Sequence, residues 1–347
     1  MPAKVVSFVI PSYNSAHTIR RCLDSIYALS LKPSEFEIIF VDDCSTDNTR
    51  DIVAEYQTKY PNITLLCQST NNRQGAARNR GVSIAKGEYI CFVDSDDAVM
   101  EGIVTAIRTA KEKQTDMTAL HFGYANEQGI ITSEAERLNF AKQEVFSGIE
   151  MQNKHAYWCS APWGFIYRTE YIQKINHPFA EGVLYEDSDF IVVHQYYAQR
   201  MTYSSELGYI AYYREGSTTH NNSYKNTVDY LFLGARMLRF YESIVEANNA
   251  TGDAQREKFA EGILEGACWN VQKSCKRIIK LANVTEACAY YERLDANIDR
   301  KAMCADVRLR KYYWNTWTTL CLKHKYITIA LLTILIPMYK IAKRIRK

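Results

Sequence analysis

The sequence predicts an α/β fold with a mostly parallel central sheet, flanked by helices and followed by a C-terminal helical region. Two observations predict it. In the first 125 residues, short β-branched runs alternate regularly with stretches of helical spacing, which is typical of β-α-β units. From about residue 226 to 310 the spacing is almost wholly helical. The chain has 347 residues, of which 47% are hydrophobic, so it can bury a sizeable core.

Each predicted strand is a short apolar run that ends at a turn or polar residue. The first, VVSFVI, ends before Pro11, the second before Asp42 and the fourth before Asp94. Runs without polar alternation indicate strands that are buried on both faces, as in a parallel sheet. The five predicted strands cover residues 5–10, 37–41, 63–67, 88–93 and 117–122.

The segments between these strands are predicted to be helices. Ser45, Thr46 and Asp47 precede the second segment, and such residues are typical N-caps. Because strand, helix and strand follow one another at this spacing, the crossovers should be right-handed and the sheet covered on both faces. The predicted helices cover residues 17–29, 47–60, 75–85 and 101–113.

The pattern becomes irregular between residues 126 and 225. This region contains Trp158 and Trp163, the acidic run YEDSD at 185–189, and a Tyr-rich strand near 208–214. We interpret it as the continuation of the first domain, with loops that shape a substrate site.

The residues that follow each strand are candidate ligand contacts, because open α/β sheets bind ligands beyond the carboxyl ends of their strands. These residues are polar and acidic: PSYN after the first strand, DDCSTD after the second and DSDD after the fourth. The sequence has neither G-x-G-x-x-G after the first strand nor G-x-x-x-x-G-K-[ST] anywhere. Bound phosphates would therefore need another source of positive charge.

Asp94 and Asp96 are candidate metal ligands. Two carboxylates at positions i and i+2 beyond an apolar strand can converge on one divalent cation, and hard oxygen ligands suit Mg²⁺ or Mn²⁺. Such a cation can bridge a diphosphate and stabilise it as a leaving group. The alternative is that Asp97 or Ser95 caps the helix that begins near Glu101.

Asp42, Asp43 and Arg78 have alternatives of the same kind. The residues after Asp43 suit an N-cap. Position alone therefore does not decide whether the carboxylates of Asp42 and Asp43 bind a ligand. Arg78 and Arg80 lie near a predicted helix start, either on a solvated face or directed at a phosphate or a base.

Three segments in this order, FVIPSYNSAHTIRRCLDSI, VDDCSTDNT and GAARNRGVSIAKGEYICFVDSDD, resemble the inverting family 2 glycosyltransferases. The resemblance covers residues 5–97, and YEDSDF extends it to about 190. It implies the GT-A fold, with a Rossmann-like sheet, and transfer of a sugar from a nucleotide-diphosphate sugar, most simply a UDP-sugar.

The resemblance also implies roles for individual residues. Pro11 and Tyr13 match residues that line the nucleobase pocket, where a Tyr ring can stack on uracil. Asp42 and Asp43 match a carboxylate pair, one member of which accepts a hydrogen bond from the base. Arg78 matches an arginine that approaches the nucleotide.

The DSDD segment carries the implied metal site. Asp94 matches the residue that reaches the ribose, and Ser95 lies beside it in the nucleotide-sugar site. Asp96, with Asp94, matches the coordination of a divalent cation, Mn²⁺ or Mg²⁺.

Asp187, the second acid of Glu186-Asp187, matches the family's catalytic base. It would take a proton from the acceptor hydroxyl as that oxygen attacks the anomeric carbon. Both acids also suit the N-terminus of a helix over 190–198, which is compatible with catalysis. Trp163 resembles the aromatic residue of the acceptor-side loop, although Gly164 stands where a polar residue is more usual.

The cysteines and the N-terminus favour a cytoplasmic protein. The ten cysteines include no C-x-x-C pair, so reduced, mostly buried thiols are expected, with zinc or disulfides as alternatives. The apolar stretch before Pro11 is short for a signal peptide and lacks a small-residue cleavage site. Cys44 replaces the more usual Gly of its turn, and His220 is either a third metal or phosphate ligand or a plain loop histidine.

The C-terminal end is basic and partly apolar. Residues 301–347 contain eleven Lys or Arg and one acid, Asp306, while residues 326–339 carry no charge. As a helix this run would span about 21 Å, against about 30 Å of hydrocarbon in a bilayer. Trp314, Trp317 and several Lys and Arg residues flank it.

Such flanks indicate a segment that lies in an anionic membrane surface from the cytosolic side. The alternative is a helix that packs on the body with a solvated basic end. Binding of nucleic acid is not expected, because no basic groove with stacking aromatics is evident.

The resemblance, together with the basic C-terminal end, implies an inverting, metal-dependent glycosyltransferase of cell-surface polysaccharide biosynthesis. Residues 1–225 would be its GT-A catalytic domain, with a nucleotide-sugar half at 1–125 and an acceptor half at 126–225. Residues 226–310 would be a helical extension and 311–347 a tail on the inner face of the membrane. The acceptor would be a saccharide or a polyprenyl-diphosphate-linked oligosaccharide. The alternative is a non-catalytic relative that binds nucleotide sugar or acts as a scaffold.

Overall fold

The computed structural model describes residues 4–136, 144–155, 161–213, 224–281, 283–297 and 316–345. The chain forms two compact units, Met1–Gly216 and Ser217–Lys347. Trp158, Trp314 and His220 lie outside the described residues.

The first unit contains every strand of the described residues and seven of the helices. The strands are β1 Val6–Ser12, β2 Phe36–Asp42, β3 Ile63–Cys67, β4 Tyr89–Phe92, β5 Ala98–Val99, β6 Met117–Ala125, β7 Ile131–Glu134, β8 Phe165–Arg168 and β9 Met201–Tyr212. The helices are α1 Ile19–Tyr27, α2 Thr49–Lys59, α3 Arg73–Ile84, α4 Gly102–Lys113, α5 Gly148–His155, α6 Thr169–Ile175 and α7 Asp187–Tyr197.

The strands form one sheet in the order β3-β2-β1-β4-β8-β6-β9-β5, with β7 paired to β6. The first four strands in this order are parallel, and β6 and β9 are also parallel to each other. All the strands and helices predicted in the first 125 residues are present, and the mostly parallel sheet is confirmed. The short strands β5 and β7 were not predicted, and neither was the antiparallel position of β8 between β4 and β6.

The apolar runs of the sequence form the centre of this sheet. Every residue of β1 and of β2 is buried, as expected for strands covered by helices on both faces. In α1, Ile19, Cys22, Leu23 and Ile26 share one buried face at helical spacing. The carboxyl ends of β1, β2 and β4 therefore meet at one edge, where the polar loops follow.

Gly81 allows α3 to pack closely on the sheet. A Cβ atom added at Gly81 would lie 2.3 Å from Cγ1 of Val9 in the middle of β1. Val9 is fully buried, and a valine side chain has little rotameric freedom with which to move away. The distance between α3 and β1 therefore depends on a missing side chain.

The second unit is helical where the structure describes it. Its helices are α8 Tyr224–Asn248, α9 Ala254–Arg277, α10 Val284–Asn297, α11 Thr316–Lys323 and α12 Lys325–Ile345. In α12, Thr328, Leu332 and Ile336 are buried, so one face of the apolar run packs within the unit. Among the described helices, none has the length and apolar character needed to cross a membrane.

The eight cysteines that the structure describes are free thiols. Five of them are buried: Cys22, Cys91, Cys268, Cys275 and Cys321. Cys67, in the outer strand β3, is exposed.

We expect Gly81→Ala to lower the free energy of unfolding by about 1–3 kcal/mol, because the added methyl group overpacks the interface with Val9. This loss should exceed the gain of about 1 kcal/mol in helix propensity. Chemical denaturation measures the change, and Ser83→Ala on the same helix, with little expected effect, is the control. Adding Val9→Ala to Gly81→Ala should cost less than the sum of the two single changes; simple additivity would contradict the proposed contact.

Candidate active site

The loops after β1 and β2 are tied together at the edge of the sheet. The backbone N–H of Asn14 donates to Ser45 Oγ at 2.9 Å, and the backbone N–H of Thr46 donates to Asn14 Oδ1 at 2.8 Å. Asn14 and Cys44 both have positive φ, 50° and 67°, which these tight turns require. Beside them, Tyr13 is 50% exposed, so its ring is available to stack on a ligand.

Asp42 and Asp43, at the end of β2, are both buried but have different partners. Asp42 Oδ2 accepts hydrogen bonds from Arg50 Nε at 2.6 Å and from the backbone N–H of Ser45 at 3.1 Å. Asp43 Oδ1 accepts from Gln68 Nε2 at 2.9 Å and from the backbone N–H of Asn72 at 2.8 Å. Burial raises the pKa of Asp43 above its ordinary value.

Two buried oxygens at this edge have no hydrogen-bond partner in the described part of the chain. They are Asp42 Oδ1 and Ser12 Oγ, and their residues are aligned in the parallel pairing of β1 and β2. Leaving a buried polar group unsatisfied costs about 1–3 kcal/mol. A ligand with hydrogen-bond donors could therefore gain free energy at this position. Pro11, the residue before Ser12, is buried within β1.

The loop after β4 is joined to the loop after β1. The hydroxyl groups of Ser95 and Ser15 are 2.7 Å apart, and Thr18 Oγ1 donates to the backbone carbonyl of Ser95 at 2.9 Å. Arg21 donates to the backbone carbonyl of Asp96, and its guanidinium lies over the ring of Tyr212. The Ser95 hydroxyl thus contacts the loop after β1.

Tyr209 of β9 holds the same loop from the other side. Its hydroxyl donates to Asp97 Oδ2 at 2.7 Å and accepts from the backbone N–H of Asp94 at 3.1 Å. Asp97 is buried, and burial together with the charges of Asp94 and Asp96 raises its pKa well above the ordinary value. Helix α4 begins at Gly102 without a side-chain cap. The alternative that Asp97 or Ser95 caps this helix is therefore wrong.

Trp163 supports Tyr209. The two rings are stacked in parallel, with their centroids 4.4 Å apart, and Trp163 is only 9% exposed. Little of its ring is therefore open to a second substrate, and the acceptor contact predicted for Trp163 stays a prediction. Its clear structural contact is with the tyrosine that binds Asp94 and Asp97.

Asp94 and Asp96 remain as the candidate metal ligands. Both are partly exposed, whereas Ser95 and Asp97 between and after them are buried. The described residues contain no group of three or more His, Cys, Asp or Glu side chains arranged around one metal position. Two carboxylates nevertheless fit Mg²⁺ or Mn²⁺, since such ions commonly take one or two protein carboxylates and complete their shell with phosphates and water.

Arg78 joins the β4 loop to the start of α7. It is 1% exposed, and Nη2 donates to Asp94 Oδ1 at 2.8 Å while Nη1 donates to Glu186. Burial opposes the charge, but the carboxylates of Asp94 and Glu186 outweigh it and raise the pKa of Arg78 above its ordinary value. The alternative that Arg78 lies on a solvated helix face is therefore wrong. Its predicted approach to a nucleotide is not tested by these contacts.

Helix α3 is also fastened to the segment before α7. Asn79 Nδ2 donates to the backbone carbonyl of Phe179, and the backbone N–H of Phe179 donates to Asn79 Oδ1, both at 2.9 Å. A Cβ at Gly75 would lie 2.4 Å from the carbonyl oxygen of Ala180. The small residue at 75 therefore permits the close approach that lets Arg78 reach Glu186.

Glu186 and Asp187 differ in accessibility. Glu186 is fully buried and bound by Arg78, and its Oε2 has no partner in the described chain. Asp187 is the first residue of α7 and is partly exposed. Burial, followed by the neighbouring Glu186 carboxylate, raises the pKa of Asp187 to about 8. A carboxylate with this pKa is suited to accept a proton near neutral pH.

Among the residues that hold this site together, Tyr209, Arg21 and Arg50 were not predicted from the sequence. Only Tyr209 had a signal, as a member of the Tyr-rich strand. Arg21, on α1, contacts the loop after β4, 75 residues further along the chain, and nothing in its sequence position indicates this. Arg50, on α2, lies only eight residues after its partner Asp42, but this spacing belongs to no motif that indicates the contact.

Known proteins match parts of this chain. Residues 7–175 match the model of the family described as glycosyl transferase family 2. The poly(ribitol-phosphate) beta-glucosyltransferase of Bacillus spizizenii is 40% identical over 136 residues, which are 39% of this chain and 22% of that protein. The uncharacterized glycosyltransferase YibD of Escherichia coli is 29% identical over 228 residues, 64% of this chain and 65% of that protein. The chain thus spans less than two thirds of the length of either relative.

A solved structure has the same fold. The crystal structure of S. aureus TarS 1–349 in complex with UDP superposes with a TM-score of 0.59 at 23% identity, covering 97% of this chain and 92% of that one. This likeness confirms the predicted GT-A fold. Residues 7–175 of the chain belong to glycosyl transferase family 2.

Proposed function

We propose that this chain transfers a sugar from a nucleotide-diphosphate sugar, in the first instance a UDP-sugar, to a hydroxyl of a saccharide or lipid-linked oligosaccharide, with inversion. The observation that carries the proposal is the buried Arg78, which links the Asp94 loop to the helix that begins with Asp187. Candidate donor ligands and a candidate base thereby belong to one connected site. The B. spizizenii relative is named for glucosyl transfer, and TarS was solved with UDP.

The donor nucleotide would bind at the ends of β1 and β2. The exposed ring of Tyr13 would stack on the base, and the unpartnered Asp42 Oδ1 would accept a hydrogen bond from a base N–H. Uracil offers one such N–H. Arg50, which binds the other oxygen of Asp42, would hold this carboxylate in its orientation.

The diphosphate would lie near the loop after β4. Asp94 and Asp96 would hold Mn²⁺ or Mg²⁺, which when bound would neutralise charge on the departing diphosphate. Tyr209 and Thr18 bind the backbone of this loop, so its carboxylates keep their positions without the ligand.

Asp187 would act as the general base. The acceptor oxygen forms a bond to the anomeric carbon while the bond from that carbon to the diphosphate oxygen breaks, and Asp187 takes the hydroxyl proton. Attack from the side opposite the leaving group inverts the configuration. Glu186 would orient Asp187 through its ion pair with Arg78 and would not itself contact the acceptor, since it is fully buried.

The cellular setting is part of the same proposal. We place the enzyme at the cytoplasmic face of the membrane, in cell-surface polysaccharide biosynthesis, with the basic C-terminal tail against anionic lipid. The charge of residues 301–347 and the apolar run at 326–339 support this location.

A donor screen tests the activity: purified protein with Mn²⁺ or Mg²⁺ and UDP-, GDP- and dTDP-sugars, with release of nucleoside diphosphate as the readout. We expect slow hydrolysis of one donor, abolished by EDTA and by Asp96→Ala. Asp51→Ala, an exposed acid on α2, is the control. If no donor bound in calorimetry, the transferase proposal would be wrong and the scaffold alternative favoured.

Asp187→Asn should lower the rate of transfer by a factor of about 10²–10⁴, the usual contribution of a general base, while leaving donor affinity nearly unchanged. Initial rates and the donor Kd measured on the same preparation separate the two effects. Asp51→Asn makes the same change on α2 and should retain full activity. A fully active Asp187→Asn enzyme would remove Asp187 from the mechanism.

The rate should also depend on pH in a defined direction. Because the pKa of Asp187 is raised to about 8, the base is mostly protonated below that pH, and kcat/KM should rise about tenfold per unit until it levels off above about 8. Arg78→Lys keeps a positive charge but loses the paired contacts to Asp94 and Glu186. The pH above which kcat/KM levels off should therefore shift in this variant. A flat profile between pH 6 and 9 would contradict this role.

A further inference from the structure

A cavity of about 410 Å³ lies where α10, α11 and α12 meet in the second unit. Its lining consists of Asp295, Lys323, His324, Lys325, Tyr326 and Ile327. Three of these six side chains carry or can acquire a positive charge. This composition is unlike that of a core cavity, which is normally apolar.

The charges in the cavity are only partly compensated. Lys325 Nζ pairs with Asp295 Oδ2 at 3.0 Å, so this positive charge has a partner. Lys323 is exposed, and within the described part of the chain it forms no ion pair. The cavity therefore keeps at least one cation that an anionic group could neutralise.

An apolar stripe begins at the same place. Ile327, Leu331 and Met338 of α12 are 53%, 38% and 59% exposed, and their spacing of four and seven residues puts them on one face of the helix. Ile327 belongs both to this stripe and to the cavity lining. Tyr326, at the junction, is 82% exposed and combines an apolar ring with a polar hydroxyl.

We propose that this cavity and stripe together bind a phosphate-bearing lipid, with the phosphate beside Lys323 and His324 and the hydrocarbon along Ile327, Leu331 and Met338. A soluble phosphate would leave the stripe exposed, and an uncharged apolar partner would leave Lys323 without a counter-ion. Charge complementarity favours a membrane lipid, because residues 316–347 contain seven Lys or Arg and no Asp or Glu. The inference rests on the membrane contact proposed above and is independent of the sugar-transfer step.

The test is co-sedimentation of the full chain with vesicles of phosphatidylcholine, with and without phosphatidylglycerol. We expect binding only to the anionic vesicles, and a loss of about tenfold in partitioning for both Lys323→Glu and Leu331→Gln. Lys276→Glu, which reverses an exposed charge on α9, is the matched control and should lose no more than about threefold. Circular dichroism melting checks folding, and Lys323→Gln replaces Lys323→Glu if the latter unfolds.

Two results would overturn the proposal. If all variants bound anionic vesicles like the unaltered chain, the cavity would have no part in lipid binding. If Lys323→Glu alone weakened binding and inorganic phosphate, but not chloride of equal ionic strength, displaced the protein, the site would bind a soluble phosphate. Donor hydrolysis by the same variants without vesicles reports separately on the transferase proposal.

Discussion

The buried guanidinium of Arg78 is the constraint on which the rest of the active site depends. A buried charge is tolerated only when it is paired, and removing one partner from such a pair typically costs about 3–5 kcal/mol. The partners here come from two distant parts of the chain, Asp94 after β4 and Glu186 before α7. The need to neutralise Arg78 therefore fixes where the β4 loop and the first turn of α7 lie relative to each other.

A second set of contacts holds the β4 loop in place from the sheet side. Tyr209 binds both Asp94 and Asp97 through one hydroxyl, and Trp163 stacks on its ring. Tyr209 belongs to β9, and Trp163 lies in the segment directly before β8. Because both side chains are held by the sheet, the loop that they contact is held rigidly as well. Candidate catalytic groups on loops can keep a defined geometry only with such support.

How far the sequence predicts this structure depends on the range of the interactions. The strands and helices of the first 125 residues follow from local periodicity, and the candidate acids follow from the ends of the strands. The position of β8 does not, since nothing in FIYR indicates that it lies between β4 and β6. The burial of Arg78 was not predicted either, because NRQGAARNRG is polar and indicates an exposed helix start. Its partners are 16 and 108 residues away, and only the tertiary fold brings them together.

The separation between Arg78 and Glu186 has a consequence for biosynthesis. A chain leaves the ribosome from its N-terminus, so the first four parallel strands can pair before residue 186 has been made. During that interval Arg78 has Asp94 as a counter-ion but lacks Glu186, and α3 cannot take up its final packing without leaving a charge undercompensated. Completion of the active site therefore coincides with the docking of α7. In a nascent chain truncated before Glu186, the face of α3 that carries Arg78 should stay exposed to chaperones.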